Sequence, residues 1–500
     1  MTHQPVAGPV PARHEYDVVV VGGGVAGLSA AVSAAEAGAR VAVLERSVES
    51  ETGGNTRYTE AFLRMRSVDE VAEGFEDTLV DDFMGHPDPS VVHEAARPAE
   101  RRSALYRATH TIDPDYVAAL SEHAPATLRW MAGHGLRFDA VPTPFLTRST
   151  TRLAPVGGGL AIVETMGKAA RGLGVDFHFE TTARRLAVAE DGTVDGVVAQ
   201  TVRGPVVFAG SVVLACGGYQ GNAEMMARYH GDRALTSRPV ARGGNYNKGE
   251  GLEMALALGA ATSGNFSLFH AEPVDPRSGE PEAAIFCFPY GVLLNQEGER
   301  FVDEARGTVD AWYERTTRSI QEQTGGVAWV VLDQRGLAVP NVMSGVRTDV
   351  PPVTAPTLAA LAEAAGLPAD AVVATVDAYN AACPDGAGSD PLVLDGVATS
   401  GLTPPKSNWA RPVNQGPFVA YPVMAANVFT FGGLRTTPEA EVVDRDGRPL
   451  AGLYAAGELT GLYYSNYTGS TSVLRGATFG RIAGANAAAD RADRRTPAVV

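Results

Sequence analysis

Three glycines in the pattern Gly22-x-Gly24-x-x-Gly27, with an acid at Glu45, are the residues of this 500-residue chain whose spacing most directly implies chemistry. In such a pattern the first glycine makes a tight turn, the second lets backbone approach a pyrophosphate, and the third lets a helix pack closely on a strand. The helix N-terminal amides then face the phosphates. Glu45 would take ribose hydroxyls and repel a 2′-phosphate, which disfavours NADP. Gly53-Gly54-Asn55-Thr56 exposes backbone just beyond the second strand, where it could pass along a pyrophosphate toward the far end of a long cofactor. Glu458, after a late strand and Gly457, could hold a ribityl hydroxyl, and contributions this remote suit FAD lying extended across a domain better than NAD. With only one such fingerprint, no separate NAD(P)H domain can be written. Electrons must come from or go to an unidentified donor or acceptor.

These residues need elements to place them. Tyr16 to Val21 is a continuous run of β-branched residues that suits a buried parallel strand; Val25 to Gly38 is Ala-rich and helical; Ala39 to Glu45 is a second apolar strand. Together they make a βαβ unit. From Val175 to Phe208, four segments (VDFHFE, RRLAVAE, VDGVVAQ and PVVFAG) read as antiparallel strands, and Ser211 to Ala215 as a further buried strand. GLYAA at Gly452 to Ala456 repeats that buried pattern before an Ala-rich final helix from Gly476 to Asp490. The middle is punctuated by proline and carries a helical pair at Thr357–Gly366 and Pro368–Ala382. The expected architecture is α/β: a Rossmann-like domain built from residues 1–266 and 411–500, with an α+β capping domain inserted at 267–410.

Composition narrows the function classes. With 41 Lys+Arg against 57 Asp+Glu, the net charge of −16 argues against nucleic acid as a partner. The three cysteines lie far apart, so no disulfide scaffold, iron–sulfur run or metal-ligand spacing can be written. No stretch approaches the ~18–20 uncharged apolar residues of a membrane span, which points to a cytoplasmic protein. Glycine is in excess, at 56 residues, without a collagen-like period, so its positions need local explanations.

Taken together, YDVVVVGGGVAGLSAA, LERS, GGNTRYT, LACGGYQGN, GEGLEMALALGA, NQEGERFVDE, YAAGELTG and FGRIAG resemble the FAD-dependent fumarate reductase/succinate dehydrogenase flavoprotein superfamily. Within it, GGNTRYTEAFLRM, LFHAEPVD, KSNWARPVNQGPFVAYPV and FTFGGLR are similar to the tricarballylate dehydrogenase branch. The resemblance implies a GR2-type FAD domain with a cap closing over the flavin and substrate between the two. It implies further that Ala26, Glu45, Arg46, Gly53, Gly54, Asn55 and Thr56 line the FAD, joined by Ala215, Gly217, Glu250, Glu458 and the backbone of Ser472, Val473 and Leu474. Residues 46–52 contain no His at the place where membrane-complex relatives attach FAD covalently, so a non-covalent FAD is expected.

Hydride transfer between a C–C bond and a flavin needs a stacked substrate, groups that polarise an adjacent carbonyl or carboxylate, and an acid or base for the second hydrogen. His270 matches the family's substrate-side histidine. Arg306 would be the proton-delivering arginine or a carboxylate clamp, although the register differs: the matching positions read Thr308-Val309-Asp310. Phe429-Thr430-Phe431-Gly432-Gly433 stands where fumarate reductases have His-Thr-Met-Gly-Gly, which leaves Thr430 and Gly432 as substrate-side candidates. Tyr467 replaces a late arginine clamp and occupies the position that ketosteroid dehydrogenases fill with a tyrosine donating to the ketone. Lys406 is a second possible carboxylate grip, and Arg475 a new cation beside the flavin.

The expected activity is an FAD-dependent oxidoreductase that desaturates, or in reverse reduces, a Cα–Cβ bond next to a carboxylate or carbonyl in a small molecule, in the manner of tricarballylate dehydrogenase. The missing dicarboxylate clamps leave a ketosteroid-type dehydrogenase or a natural-product tailoring desaturase as the alternative. A redox-inactive flavin protein is the third reading.

Overall fold

The computed structural model describes residues 12–82, 89–95, 97–109, 111–141, 152–384 and 393–495. Strand β1 (Ala12–Val21), helix α1 (Val25–Glu36) and β2 (Val41–Leu44) form the expected parallel βαβ unit, in which Val18↔Val41 to Val21↔Leu44 are in register. Val18, Val19 and Val20 are fully buried, each stabilising the sheet by about 1.5–3 kcal/mol through burial alone. Four more strands follow: β3 (Asp176–His178), β4 (Thr182–Val188), β5 (Val194–Thr201) and β6 (Gly204–Leu214).

Two local readings change here. VDFHFE is not part of the antiparallel group, because β3 lies parallel to β2 at the sheet edge, with Ala42 paired to Asp176. PVVFAG and SVVLA are one strand rather than two. It runs parallel to β1 from Val206 to Leu214, its first half also pairs antiparallel with β5 on the other side, and the register with β1 shifts at Gly210, whose φ of +149° only glycine adopts readily.

The chain then leaves this sheet to build a second one from β7 (Ser237–Pro239), β8 (Phe269–Val274), β9 (Val292–Leu294), β10 (Val327–Leu332), β11 (Val353–Ala355) and β12 (Phe418–Thr430). β12 is its spine and pairs with β7, β8, β10 and β11. Two of these strands, β7 and β12, lie outside the 267–410 segment, so the second sheet reaches beyond it at both ends. Helix α2 (Val309–Gln321) packs against β8 and β12, and the helical pair at Leu358–Ala365 and Ala369–Ala382 covers the other side of the cap.

β13 (Glu441–Val443) and β14 (Pro449–Ala455) return to the first sheet, whose order is β13-β14-β6-β1-β2-β3. The final helix, α3 (Ser472–Arg495), begins four residues earlier than the sequence suggests and lies along α1. The approach is close because Gly480 and Gly484 sit where a Cβ would come within 2.3 Å of Ala26 O and 2.1 Å of Ala30 O. The contact brings the N-termini of α1 and α3 together at the carboxyl ends of the parallel strands, the place where open α/β sheets bind ligands.

Candidate active site

One long groove runs over the carboxyl ends of β1, β2 and β6. Gly22, Gly24, Ala26, Glu45, Arg46, Gly53, Gly54, Asn55, Thr56, Ala215, Gly217, Glu250, Glu458, Ser472 and Val473 all line it. Gly27 and Leu474 do not. A Cβ on Gly27 would sit 1.9 Å from Gly22 O, so this glycine serves helix–strand packing behind the groove. Leu474 is fully buried on the inner face of α3, where its periodicity directs it.

The groove's polar atoms are held from behind. Glu45 accepts Gly23 N–H and Ser47 N–H, each at 2.9 Å, which fixes its carboxylate at the end of β2. Arg46 pairs with Glu250 at 2.9 Å and donates to Tyr246 O. Glu458 accepts from Thr430 N (2.9 Å), Asn247 Nδ2 (3.1 Å) and Gln220 Nε2 (3.3 Å). Burial pushes its carboxyl above the usual range, and these hydrogen bonds oppose that shift. The turn at Gly54–Tyr58 is held by the helix Gly158–Gly172, since Gly159 approaches so closely that a Cβ would lie 1.7 Å from Thr56 O.

The site fits a dinucleotide on its own terms. α1 opens with Gly24 and has no side-chain cap, and among the described residues Asn55 Oδ1 and Arg475 Nε are buried groove atoms without a hydrogen-bond partner. An extended cofactor with phosphates and hydroxyls would use such atoms.

At the Phe429 end of the groove the cap meets the 463–472 loop in a cluster of rings. His270 on β8 lies 4.3 Å from the Tyr467 ring, 5.1 Å from Phe429 and 5.5 Å from Tyr313, centroid to centroid. Tyr463 and Phe431 pack behind them, 5.5 Å apart. His270 Nδ1 bonds Glu314 Oε2 at 2.9 Å, and Nε2 faces Tyr313 Oη at 3.1 Å and Glu272 Oε1 at 3.6 Å. Burial opposes a charged imidazole there, but hydrogen bonds and attraction from Glu272 and Glu314 outweigh it and raise His270 above its usual value. Glu314 is also paired with Arg318. Tyr467 Oη accepts the backbone N–H of Thr471 (3.1 Å) and Ser472 (3.2 Å), so it caps the N-terminus of α3.

The remaining sequence candidates lie elsewhere. Arg306 is exposed, with its guanidinium 4.9 Å over the Trp312 ring, because α2 begins at Val309 and the preceding turn points it outward. Lys406 is buried inside the cap, where Nζ donates to Gly291 O and lies 5.6 Å over Tyr379; it cannot grip a substrate. Burial lowers its ammonium to about 8, against support from Glu304. Gly432 turns the side a Cβ would occupy into the Phe266 ring, 2.4 Å away, rather than toward the groove. Thr430 is spent on Glu458. Arg475 does line the groove, but it lies beneath Tyr463 (5.0 Å) and donates to Thr460 O at 2.9 Å.

Several residues around the site were not singled out from the sequence: Tyr313, Glu314 and Arg318 on one face of α2, Glu272 on β8, Glu282 in the groove wall, and the pair Arg152–Asp310 at 3.0 Å. Burial and repulsion from Glu272 raise Glu282 to about 8 in spite of Arg347 at 3.6 Å. For the α2 residues the available signal was the i, i+3, i+4, i+8 spacing of polar groups at 310, 313, 314 and 318.

A dinucleotide groove on a parallel sheet, covered at one end by a second sheet with a protonatable ring cluster, defines an FAD-dependent oxidoreductase. The chain belongs to the FAD binding domain family, whose match runs over residues 17–474, and to the fumarate reductase/succinate dehydrogenase flavoprotein superfamily within it. It is 29% identical to the vinyl phenol reductase of Lactiplantibacillus plantarum, over 95% of this chain and 97% of that protein. With the urocanate reductase of Eggerthella lenta it shares 28% identity over 95% of this chain and 75% of the relative. Among solved structures, an open flavocytochrome c3 fumarate reductase superposes with a TM-score of 0.75 at 24% identity, over 96% of this chain and 79% of that one, a likeness of fold. The 3-ketosteroid-Δ4-(5α)-dehydrogenase of Rhodococcus jostii RHA1 superposes with a TM-score of 0.66 at 25% identity, over 96% of this chain and all of that one. The chain is an FAD-dependent oxidoreductase acting on C–C and C=C bonds. Among the described residues no helix is long and apolar enough to cross a membrane.

Proposed function

We propose that the protein interconverts a single and a double C–C bond conjugated to the carbonyl of a ring-bearing substrate, closer to a ketosteroid-type or tailoring desaturase than to a tricarballylate dehydrogenase. The observation that carries this is Tyr467. Its oxygen already accepts two backbone N–H groups, so what remains to it is to donate, and its ring lies 4.3 Å from that of His270, tilted by 47°, at the Phe429 end of the groove. A phenol held that way polarises a carbonyl. The surroundings are aromatic: Phe429 lines the groove, Tyr313 is partly exposed beside it, and Phe431 and Tyr463 back them from within, an environment that suits a flat substrate. Two of the cations that would grip a tricarboxylate, Arg306 and Lys406, point elsewhere.

FAD bound in the groove supplies or accepts the hydride. The chain's own residues hold the cofactor along Glu45 to Thr56, orient the substrate carbonyl on Tyr467, and provide the proton from the His270 cluster. A carboxylate substrate, tricarballylate included, has one feature in its favour: Arg152, paired with Asp310, whose Nη2 lies 3.6 Å from the Cβ position of Gly469 in the 467–472 loop.

The test is anaerobic flavin spectroscopy. The photoreduced holoenzyme is mixed with 2-cyclohexenone, 4-androstene-3,17-dione, 4-vinylphenol, urocanate and fumarate, and the oxidised enzyme with tricarballylate and succinate. Reoxidation by an enone supports the reading, and reoxidation by 4-vinylphenol, which has no carbonyl, without either enone counts against it. Bleaching by tricarballylate alone overturns it in favour of the carboxylate reading.

A further inference from the structure

We propose that Arg475 is a fixed counter-charge built in beside the groove, which meets the negative charge that hydride transfer leaves on the bound FAD and so sets how readily the cofactor is reduced. The inference rests on FAD binding and not on the choice of substrate.

Arg475 lines the groove and is only 1% exposed, yet its partners are neutral. Nη1 donates to Thr460 O at 2.9 Å, the guanidinium lies 5.0 Å from the centre of the Tyr463 ring, and Nε has no partner. Two other buried arginines are built differently: Arg102 has Asp115 at 2.8 Å, and Arg300 has Glu304 at 2.6 Å. Among the described residues Arg475 has no such carboxylate. A buried cation without one is strongly destabilising, so an anion that the chain does not supply would complete the site. The nearby phenols do not serve. Burial raises both Tyr463 and Tyr116, and the opposing field of Arg475 leaves both still raised, hence neutral.

Position decides which anion is met. Tyr463 packs 5.2 Å from Tyr467 and 5.5 Å from Phe429, so the charge beneath it lies toward the ring cluster rather than at the phosphate turn of Gly22 and Gly24. The end of α3 is partly spent there, because Tyr467 Oη already accepts the N–H groups of Thr471 and Ser472. Arg475 supplies as a full charge what those amides no longer offer as a dipole.

The electrons balance. In dehydrogenation one substrate C–H bond breaks and its hydride carries both electrons to the cofactor, while the second hydrogen leaves as a proton to the His270 cluster. Two electrons and one proton on a neutral ring system make one net negative charge, and Arg475 stabilises it without a further proton. Reduction of a double bond reverses each transfer.

The experiment needs no substrate, so its outcome is separate from the reoxidation half-reaction of the probes above. Holoenzyme of the wild type, Arg475→Met and Arg475→Lys is reduced in stages against dyes of known potential. The oxidised forms are titrated with sulfite, which bonds through sulfur to the ring system and leaves the same negative charge there. Arg475→Met should weaken sulfite binding ~10–100-fold, as loss of one unit charge does at an effective dielectric of about 20, and lower the two-electron potential by the equivalent ~30–60 mV. Arg475→Lys, which keeps the charge, should lie closer to the wild type than to the Met variant. Unchanged sulfite affinity and potential in Arg475→Met overturn the proposal, as does equal weakening of oxidised and reduced FAD, the mark of a structural contact. A Lys variant no better than Met overturns it too. If neither variant retains FAD, proton uptake by the wild type decides: one proton per two electrons from pH 8 down to pH 6 is the expected result, and two overturns the proposal.

Discussion

His270 shows how little a residue's type says until its neighbours are known. A histidine in LFHAE is an ordinary β-strand residue by sequence. In the fold it touches Glu314, Tyr313, Tyr467 and Phe429, drawn from α2, β12 and the 463–472 loop. Arg306 and Lys406 show the reverse, since their chemistry suited a carboxylate clamp and their positions do not. Arg306→Ala should leave the half-reaction rate within twofold and cost no more than the ~0.5–1 kcal/mol of an exposed cation–aromatic contact. Lys406→Met should leave probe affinity unchanged but lower stability by about 1–3 kcal/mol in denaturant titration, through the lost donor to Gly291 O. A raised KM for an anionic probe in either variant would restore the clamp role.

At the scale of elements, the α1–α3 contact decides whether the groove exists. Small residues along both helices let backbone meet backbone, and the two N-termini come to one place as a result. Gly484→Ala brings a Cβ to 2.1 Å from Ala30 O, a residue that does not line the groove, so it should destabilise the protein by about 3 kcal/mol while FAD titration shows a weaker effect on affinity. Gly27→Ala, at 1.9 Å from Gly22 O, pushes the phosphate turn itself and should abolish FAD retention on gel filtration. Equal loss of FAD in both variants would mean that the groove follows helix packing rather than the turn. α2 matters in another way, because its polar face sets Asp310, Tyr313, Glu314 and Arg318 against the cluster in one row, a pattern readable as an amphipathic helix but not as a site.

The whole molecule adds a pH dependence that no single element has. Burial and Glu272 raise Glu282 to about 8, so the folded state holds a proton there that the unfolded chain releases. Stability from this group is therefore present below the unfolded value of about 4.3 and declines as pH rises toward 8. His270, also raised, contributes stability that is present below about 6.5 and lost as pH rises through its folded value. Glu282→Gln should flatten the decline between pH 6 and 8 in thermal melts of the holoenzyme, and equal slopes for variant and wild type would contradict the raised carboxyl. The net charge of −16 is compatible with a neutral ring substrate, since no strong local cation patch is then required against the field of the whole protein.

The sequence by itself determined the cofactor half of the protein. Gly22, Gly24, Glu45 and the Gly53–Thr56 stretch act through backbone geometry and short-range spacing, which are local and survive as a pattern in one dimension. The helical pair of the cap and the late return strand were legible for the same reason, as periodic runs. The parallel placement of Asp176–His178, the reach of the second sheet back to Ser237 and on to Thr430, and the fate of each cation were settled only by tertiary structure. Those features depend on which strand pairs with which and on where a side chain finds room. The proton cluster belongs to that second group: its hydrogen-bonded pairs His270–Tyr313 and Glu314–Tyr467 are 43 and 153 residues apart in the chain, and only the packing of α2 against β8 and the 463–472 loop brings them within hydrogen-bond distance.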